Sequence, residues 1–382
     1  MKRVSLIKCE EYKLEEVKKS ILKSFENLGG IDKYIAKNDK VLLKLNLLMN
    51  KSPDTATTTN PIFVKALAQV ITQYGATVII ADSPGGPFNK RALEKIYEGT
   101  HIKKIAEEEG VSLNYNTEHT EIACDNGKIL KKIIMTDYLN DVDKVISVSK
   151  LKTHGMMTYT GAVKNQFGTI PGVLKAEYHY RMPKIEDFAD ALIDICLASN
   201  PVLSFMDGII AMEGDGPSAG TTRKIKAVLA SDSPYHLDCV ATKIIGFEEN
   251  EVPTVKTSIE RGLCESNLED IELIGDNINE FKVNDFRRPK HMNIQFLSDK
   301  TPNFIKRVAD NVMKPKPVFD YDKCIGCRDC AKNCPAKVIT MKNNKPVVEL
   351  KNCIRCYCCQ ELCPQEAVTI KQSYIMKKIS KI

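Results

Sequence analysis

Two cysteine runs near the C-terminus constrain the fold of this chain more than any other feature of its sequence. Each run has the spacing C-x2-C-x2-C-x3-C-P, and the second copy begins 29 residues after the first, at Cys353 rather than Cys324. Bacterial ferredoxin domains hold two [4Fe–4S] clusters with this spacing, and the fourth cysteine of each run binds the other cluster. The predicted ligands are Cys324, Cys327, Cys330 and Cys363 for the first cluster, and Cys353, Cys356, Cys359 and Cys334 for the second. The sequence therefore predicts a protein that transfers single electrons.

The distribution of the cysteines argues against a disulfide framework and against zinc in the two runs. Nine of the 14 cysteines lie between Cys324 and Cys363, and eight of these fit the cluster spacing. Zinc sites usually show two C-x2-C pairs rather than two runs of four. Cys358 breaks the pattern beside Cys359 and is interpreted as a non-ligand. The five scattered cysteines, interpreted as buried small hydrophobic residues, are Cys9, Cys124, Cys196, Cys239 and Cys264.

Charge is distributed unevenly between the two parts of the chain. Residues 318–382 carry 12 Lys and Arg against 6 Asp and Glu, whereas the remaining residues carry 43 of each sign. The basic surplus partly offsets the negative charge of thiolate-ligated clusters, and it could dock an acidic redox partner protein. A solvated basic surface explains the same surplus equally well. No basic stripe is interleaved with aromatic residues, so we do not expect a nucleic-acid partner.

Targeting signals are absent from the sequence as given. No apolar run approaches the roughly 20 residues that a membrane span needs, and the first residues lack the apolar core of a secretory signal. We therefore expect a cytoplasmic protein with no membrane partner.

Strands alternate with helices through the first three hundred residues, which predicts an α/β fold with a mostly parallel sheet and flanking helices. Predicted strands cover residues 3–7, 41–48, 77–81, 145–148, 202–206, 227–230 and 271–274. Predicted helices cover residues 14–28, 61–75, 91–109, 185–197, 235–245 and 302–313. The Lys-Pro-Lys-Pro segment at 314–317 cannot continue a helix. The sequence thus predicts an α/β domain at 1–313, a linker at 314–317 and a small α+β ferredoxin-type domain at 318–382.

A polar segment follows the strand predicted at 145–148, and it is interpreted as a long loop. In open α/β sheets, ligands bind beyond the carboxyl ends of the strands. Lysine and amide groups there suit an anionic small molecule, and histidines suit proton transfer. The predicted substrate-binding residues are Lys152, Asn165 and Lys175, and the predicted catalytic residues are His154, His179 and Lys164. A solvated basic loop with structurally satisfied histidines is the alternative interpretation.

Acidic residues in glycine-rich segments after other strands suggest a second kind of site. Asp207, Glu213 and Asp215 could together bind a divalent metal such as Mg²⁺, because hard cations prefer carboxylate oxygens. The alternative is a turn that uses Asp and Gly only for their backbone preferences.

Five motifs in the first three hundred residues resemble domain-of-unknown-function family 362. They read K-L-K-T-H, T-G-A-V-K-N-Q-F-G, K-A-E-Y-H, D-G-I-I-A-M-E-G-D-G-P and L-D-C-V-A-T-K-I-I-G. Members of this family are often fused to a C-terminal double-cluster ferredoxin module, as in this chain. The resemblance implies no reaction; it implies only which residues occupy motif positions, namely Lys152, His154, Lys164, Asn165, Asp207, Glu213 and Asp215.

Three functions remain open at this point. The first is an iron–sulfur oxidoreductase that acts on an anionic substrate or cofactor in the α/β domain. The second is a non-catalytic electron carrier or adaptor that docks a redox partner. The third is a non-redox enzyme with structural or sensory clusters. No G-x-G-x-x-G fingerprint or P-loop is present to indicate a nucleotide cofactor.

Overall fold

A computed structural model describes residues 2–289 and 315–371 of the chain. Within these residues nine strands form one sheet: β1 (Arg3–Lys8), β2 (Lys40–Lys44), β3 (Thr77–Ala81), β4 (Ser112–Leu113), β7 (Lys144–His154), β8 (Thr158–Thr160), β9 (Leu203–Glu213), β10 (Thr221–Ser231) and β11 (Glu272–Gly275). Their order is β11-β1-β10-β9-β7-β2-β3-β4, and β8 pairs with β7. Pairing is parallel from β9 through β7, β2 and β3 to β4, whereas β10 is antiparallel to both β1 and β9. The α/β class and the mostly parallel sheet are therefore confirmed.

Helices cover both faces of the sheet. They are α1 (Leu14–Asn27), α2 (Pro61–Tyr74), α3 (Lys90–Gly99), α4 (Ile102–Glu109), α5 (Ala162–Asn165), α6 (Lys175–Arg181), α7 (Ile185–Ser199), α8 (Pro234–Ile244) and α9 (Pro253–Glu260). Alternate residues of β10 enter different cores, as a pleated strand requires. Val228 packs into the core beneath α1 and α2, and its neighbour Leu229 packs into the core beneath α8 and α9. A separate hairpin of β5 (His119–Ala123) and β6 (Lys132–Thr136) packs near α7.

Strand β7 differs most from its prediction. It was expected to end at Val148 and to lead into a polar loop, but it continues to His154. Beyond the end of β2, its last residues pair with β8, and every residue from Val145 to His154 is buried. The interpretation of this stretch as a solvated loop is therefore wrong. Polarity misled the prediction because charged residues are seldom buried without partners, and their partners lie far away in sequence.

The cysteine-rich part forms small two-stranded sheets and single helical turns. Its elements are β12 (Lys316–Phe319), α10 (Asp329–Lys332), β13 (Ile339–Lys342), β14 (Lys345–Val348), α11 (Cys358–Glu361) and β15 (Val368–Lys371). Strand β12 pairs with β15, so two residues of the predicted linker belong to a strand of this part. The helix predicted at 302–313 and residue 314 lie outside the described residues, so the domain boundary stays a prediction. No helix in the described ranges is long and apolar enough to cross a membrane.

A buried ion pair joins the two central strands β7 and β9. Lys150 Nζ lies 2.8 Å from Asp207 Oδ2, and neither side chain is exposed by more than 1%. The Tyr12 hydroxyl accepts a hydrogen bond from Lys150 at 2.7 Å and donates one to Asp207 at 2.7 Å. The Asn60 backbone N–H donates to the same carboxylate at 3.0 Å. Burial lowers the pKa of Lys150, and Asp207 opposes that shift. The pair is therefore fully hydrogen-bonded within the core.

Replacing Lys150 by Met should lower the free energy of unfolding by about 3–5 kcal/mol, because Asp207 would remain buried without its cation. Urea denaturation followed by circular dichroism measures the loss. Lys224→Met, on the exposed part of β10, is the matched control and should change stability by less than about 0.5 kcal/mol. An equal effect of both substitutions would contradict a structural role for the ion pair.

Candidate functional site

The main cavity lies between the carboxyl ends of the parallel strands and the cysteine-rich part. It offers about 90 Å³ to the centres of water-sized molecules; one water needs roughly 10–15 Å³ on that measure, so a small ligand fits. All six residues predicted to bind or act on a substrate line this cavity. They are Lys152, Asn165, Lys175, His154, His179 and Lys164. The structure thus brings these residues together, and their chemical roles stay predictions.

Lysine side chains dominate the walls of the cavity. Lys44, Lys152, Lys164 and Lys175 contribute four amines, against the carboxylates of Asp82 and Glu361. Lys44 Nζ lies 2.9 Å from Asp82 Oδ1 and donates to the Leu45 carbonyl at 2.7 Å. With every lysine protonated and both carboxylates ionised, cations outnumber anions by two. The cavity therefore favours an anionic ligand.

Two of these lysines have strongly lowered pKa values. Burial lowers the pKa of Lys152 to about 7, and the nearby Lys164 ammonium adds to the shift. Burial also lowers the pKa of Lys175 to about 7, although Asp82 opposes it. Lys152 donates a hydrogen bond to the Thr57 carbonyl at 2.5 Å, and Lys175 donates one to the Ser83 carbonyl. Both amines therefore change charge near neutral pH.

His154 connects the α/β domain to the cysteine-rich part. Its Nδ1 accepts hydrogen bonds from the backbone N–H groups of Met156 and Met157, each at 3.1 Å. The ring proton therefore sits on Nε2, which lies 3.0 Å from Glu361 Oε1. Burial lowers the pKa of His154 to about 4. Burial disfavours ionisation of Glu361, but His154 and Lys164 outweigh it and hold the pKa of that carboxyl at about 2. At neutral pH the pair is a neutral imidazole beside a carboxylate.

His179 and Lys164 are the least engaged polar groups on the cavity wall. His179 stacks on Phe188 with ring centroids 4.4 Å apart, and its buried Nδ1 has no hydrogen-bond partner in the described residues. Burial lowers the pKa of His179 to about 4. The Lys164 ammonium lies 5.8 Å from the centre of the Phe167 ring, and burial lowers its pKa. These groups remain available to a ligand.

Asn165 lines the cavity, but its amide is engaged within the protein. Its Nδ2 donates to the Lys44 carbonyl at 3.1 Å and to Ser147 Oγ at 3.0 Å. Its Oδ1 accepts from Lys44 Nζ at 3.3 Å and from Asn46 at 3.5 Å. These contacts account for both ends of the amide, so the structure favours a positioning role over the predicted substrate contact.

The three carboxylates predicted to bind a divalent metal do not converge in the described residues. Asp207 is engaged by Lys150 and Tyr12, and Glu213 accepts hydrogen bonds from the backbone N–H and Nε of Arg287 at 3.0 and 2.9 Å. Within residues 2–289 and 315–371, Asp207, Glu213 and Asp215 are not among the side chains that converge as a potential metal-ligand group. The structure therefore does not bring these carboxylates together, and their binding of a divalent metal stays a prediction.

The eight predicted cluster ligands separate into two groups in the structure. One small cavity is lined by Cys324, Cys327, Cys330 and Cys363. A second is lined by Cys334, Cys353, Cys356 and Cys359. This is the crossed arrangement that the spacing predicts, and four thiolates around one cavity fit an iron–sulfur cluster. Cys358 lines both the second group and the main cavity.

Sequence reasoning did not identify Lys44 or Glu361 as parts of the site. A lysine inside the apolar run Val-Leu-Leu-Lys-Leu was a usable signal, since lysine is almost never fully buried unless it is paired. Glu361 carried no such signal. It lies between Cys359 and Cys363 in a segment explained by cluster ligation, and only docking of the two parts of the chain brings it to His154.

Comparisons with known proteins match the two parts of the chain to two different family models. A family model described as a domain of unknown function, DUF362, matches residues 41–243, which is more than half of the chain. The chain belongs to the DUF362 family. A model of a 4Fe-4S dicluster domain matches residues 316–364, so this DUF362 protein is an iron–sulfur protein. Both parts of the resemblance drawn from its motifs are thus confirmed.

One curated relative and two solved structures are similar to this DUF362 chain. Thylakoid-associated protein sll1697 of Synechocystis sp. is 32% identical over 269 residues, which cover 69% of this chain and 80% of that protein. That name refers to thylakoids, and the cytoplasmic location of this chain stays a prediction. The lactate racemase apoprotein of Thermoanaerobacterium thermosaccharolyticum is 13% identical with a TM-score of 0.38, covering 61% of this chain and 55% of that one. A protein from Thermotoga maritima is 13% identical with a TM-score of 0.34, and the match covers 60% of this chain and 57% of that one. The matches thus span little more than half of either solved chain.

Replacing Cys356 by Ser should lower the iron content of anaerobically purified protein, because Cys356 is one of the four predicted ligands among the five thiols around the second small cavity. Cys358→Ser, two residues away, is the matched control and should leave the iron content unchanged. Iron analysis with electron paramagnetic resonance of the reduced protein measures both. Retention of all iron in the Cys356 variant, with loss in the Cys358 variant, would reverse the ligand assignment.

Anion binding in the main cavity should weaken as pH rises from 6 to 8. Lys152 and Lys175 are cationic below their pKa values of about 7 and neutral above them. Affinity should therefore fall by roughly tenfold for each lysine whose protonation is required. Isothermal titration with sulfate, whose own charge is constant in this range, measures the change. The Lys152→Met variant should show a flatter pH profile; an identical profile would exclude Lys152 from binding.

Proposed function

We propose that this protein is an oxidoreductase that holds two [4Fe–4S] clusters and acts on a small anionic substrate in the main cavity. Cluster binding is assigned to the two groups of four cysteines. Anion binding is assigned to Lys152, Lys164 and Lys175. When bound, the clusters supply one-electron transfer. Every other part of the proposal rests on the residues that shape the cavity.

The position of Glu361 is the observation that carries the proposal. This residue lies two positions after Cys359 and two before Cys363, which belong to different ligand groups. Its carboxylate nevertheless enters the lysine-rich cavity and lies 3.0 Å from His154 Nε2. The same short segment therefore contributes cluster ligands and part of the wall of a binding cavity. A carrier that only passed electrons between proteins would not need such a cavity beside its clusters.

The second ligand group lies close to the cavity. Cys358 lines both spaces, and Asn333, next to the ligand Cys334, also lines the main cavity. Tyr357 and Cys358 are 2% and 6% exposed, so water is largely excluded from the region between the second ligand group and the main cavity. Electron transfer benefits from this closeness, and exclusion of water strengthens each electrostatic contact with a bound anion.

Proton donation is assigned first to Lys164. Its ammonium lines the cavity and its nearest described contact is the face of the Phe167 ring, 5.8 Å away, so its protons can reach a bound substrate. His179 is neutral at pH 7 and has an unpartnered Nδ1, which suits a hydrogen bond to substrate better than delivery of a proton. His154 is held by Glu361 and two backbone N–H groups, and we assign it to orientation of that carboxylate.

The first ligand group faces solvent and is the proposed entry point for electrons from a partner protein. Cys327 is exposed, and the neighbouring Ile325 and Tyr321 side chains are 65% and 48% exposed. Lys323 and Arg328 are exposed beside them, and so is Asp322. Exposed apolar side chains next to these two cations suit an acidic redox partner, because charge complementarity speeds and orients docking.

Binding of a small anion should lower the reduction potential of a cluster by tens of millivolts. A unit negative charge at roughly 10 Å contributes on the order of 1–2 kcal/mol at an effective dielectric constant of about 20. Redox titration followed by electron paramagnetic resonance, with and without sulfate, phosphate or oxalate, measures the shift. Lys152→Met should abolish it, whereas Lys351→Met, an exposed lysine of the cysteine-rich part, should preserve it.

A potential that responds to none of the three anions, or that responds equally in both variants, would contradict the proposal. The non-catalytic electron carrier would then be favoured. Catalytic activity that survives loss of the clusters in Cys327→Ser and Cys356→Ser variants would instead favour the non-redox enzyme with structural clusters.

A further inference from the structure

Side chains with metal-binding atoms also come together in the α/β domain, outside the main cavity and the two cysteine runs. Two come from the first turns of α8, His236 and Cys239, and two follow α9, Cys264 and Glu265. Ligand atoms of His236, Cys264 and Glu265 all lie within 4.8 Å of one another. His236, Cys239 and Cys264 are 4%, 0% and 5% exposed. Two nearly buried donors, His236 and Cys264, thus converge with the partly exposed Glu265 carboxylate, and the buried Cys239 lies next to them.

Cys239 completes the group through the backbone of Glu265. Its Sγ lies 3.9 Å from the Glu265 carbonyl oxygen, and the Sγ of Cys264 lies 3.2 Å from the same atom. Both sulfurs therefore contact the same backbone oxygen, which places Cys239 beside the group formed by His236, Cys264 and Glu265.

His236 is oriented in the way that metal-binding histidines usually are. Its Nδ1 lies 2.6 Å from the Ser233 hydroxyl, which also accepts a hydrogen bond from the His236 backbone N–H at 3.4 Å. The ring therefore directs Nε2 toward the Glu265 carboxylate, which it contacts. A partner on the nitrogen that does not bind the metal fixes the ring and its tautomer.

We propose that His236, Cys239, Cys264 and Glu265 form a zinc site, separate from the iron–sulfur clusters and from the main cavity. Two thiolates, one imidazole and one carboxylate match the donor types of four-coordinate zinc. Hard cations such as Mg²⁺ prefer oxygen ligands and fit this set poorly. Zinc replaces the protons of the two thiols and the contact between His236 and Glu265, and the displaced protons pass to solvent. Cys239 and Cys264 then have a role beyond that of small hydrophobic core residues.

The position of α8 gives this site a structural consequence. Asp238, between the two ligands of that helix, accepts hydrogen bonds from the backbone N–H groups of Ala162 and Val163 at 2.6 and 3.0 Å. These residues begin α5, which carries Lys164 into the main cavity. A metal that ties α8 to the segment after α9 therefore also steadies one wall of the cavity.

Native mass spectrometry of the full-length chain, purified anaerobically with its iron, tests the site. After removal of loosely bound metal and addition of zinc, we expect one zinc ion per chain without loss of iron. Competition with a chromophoric zinc chelator gives the affinity. His236→Gln and Cys264→Ser should each weaken zinc binding by at least about tenfold, the lower end of the loss seen even for residues that only support a metal ligand.

Two further variants keep the test decisive if the buried substitutions disturb folding. Glu265→Gln changes a carboxylate that is 48% exposed and should weaken zinc binding while iron content and circular dichroism stay unchanged. Cys124→Ser, at another buried cysteine, should retain wild-type zinc affinity. Absence of zinc in the wild-type chain, unchanged affinity in the Glu265 variant, or recovery of a Cys239–Cys264 disulfide from the anaerobic protein would overturn the proposal.

Discussion

The cost of burying lysine ammonium groups determines how the centre of this protein is built. Lys44, Lys150 and Lys152 are each no more than 2% exposed, and they lie on β2 and β7 toward the carboxyl ends of the strands. A buried cation requires a counter-charge or hydrogen-bond acceptors. Asp82, Asp207 and the Thr57 carbonyl supply these groups, and they fix the loops after β3 and β2 and the path of β9. The polar interior of the domain is therefore part of its framework as well as of its cavity.

An irregularity in the pairing of β7 separates polar groups that have different tasks. Lys150, Lys152 and His154 alternate along the strand with Leu151 and Thr153, so the two sets point to opposite faces of the sheet. The irregularity in pairing with β9 falls between Lys150 and Lys152. Lys150 reaches the ion pair with Asp207, while Lys152 and His154 line the cavity. One strand thereby supplies both the stability of the core and the chemistry of the site.

Local patterns predicted the parts of this protein that depend on local physics. Helix α2 begins at Pro61 after an Asn60 cap whose side chain accepts from the Ile62 backbone N–H, and it ends at Gly75 in the left-handed conformation, as the sequence signals indicate. The grouping of the cysteines followed from their spacing. The length of β7, the pairing of Asp207 and Glu213 with basic residues, and the entry of Glu361 into the cavity depend on contacts between distant segments. Residue types alone identify such carboxylates as polar, but not whether their partner is a metal, an arginine or a buried lysine.

The contact between His154 and Glu361 has a consequence for how such proteins can diversify. Because one wall of the cavity belongs to the cysteine-rich part, that part is not a freely exchangeable module. A ferredoxin-type segment from another protein could keep all eight cysteines and still lack the carboxylate that faces His154, or place a different side chain there. Because the two parts are fused into one chain, each α/β domain is always inherited with the cysteine-rich part that completes its cavity. Changes at positions 154 and 361 should accordingly accompany one another among chains that share this arrangement.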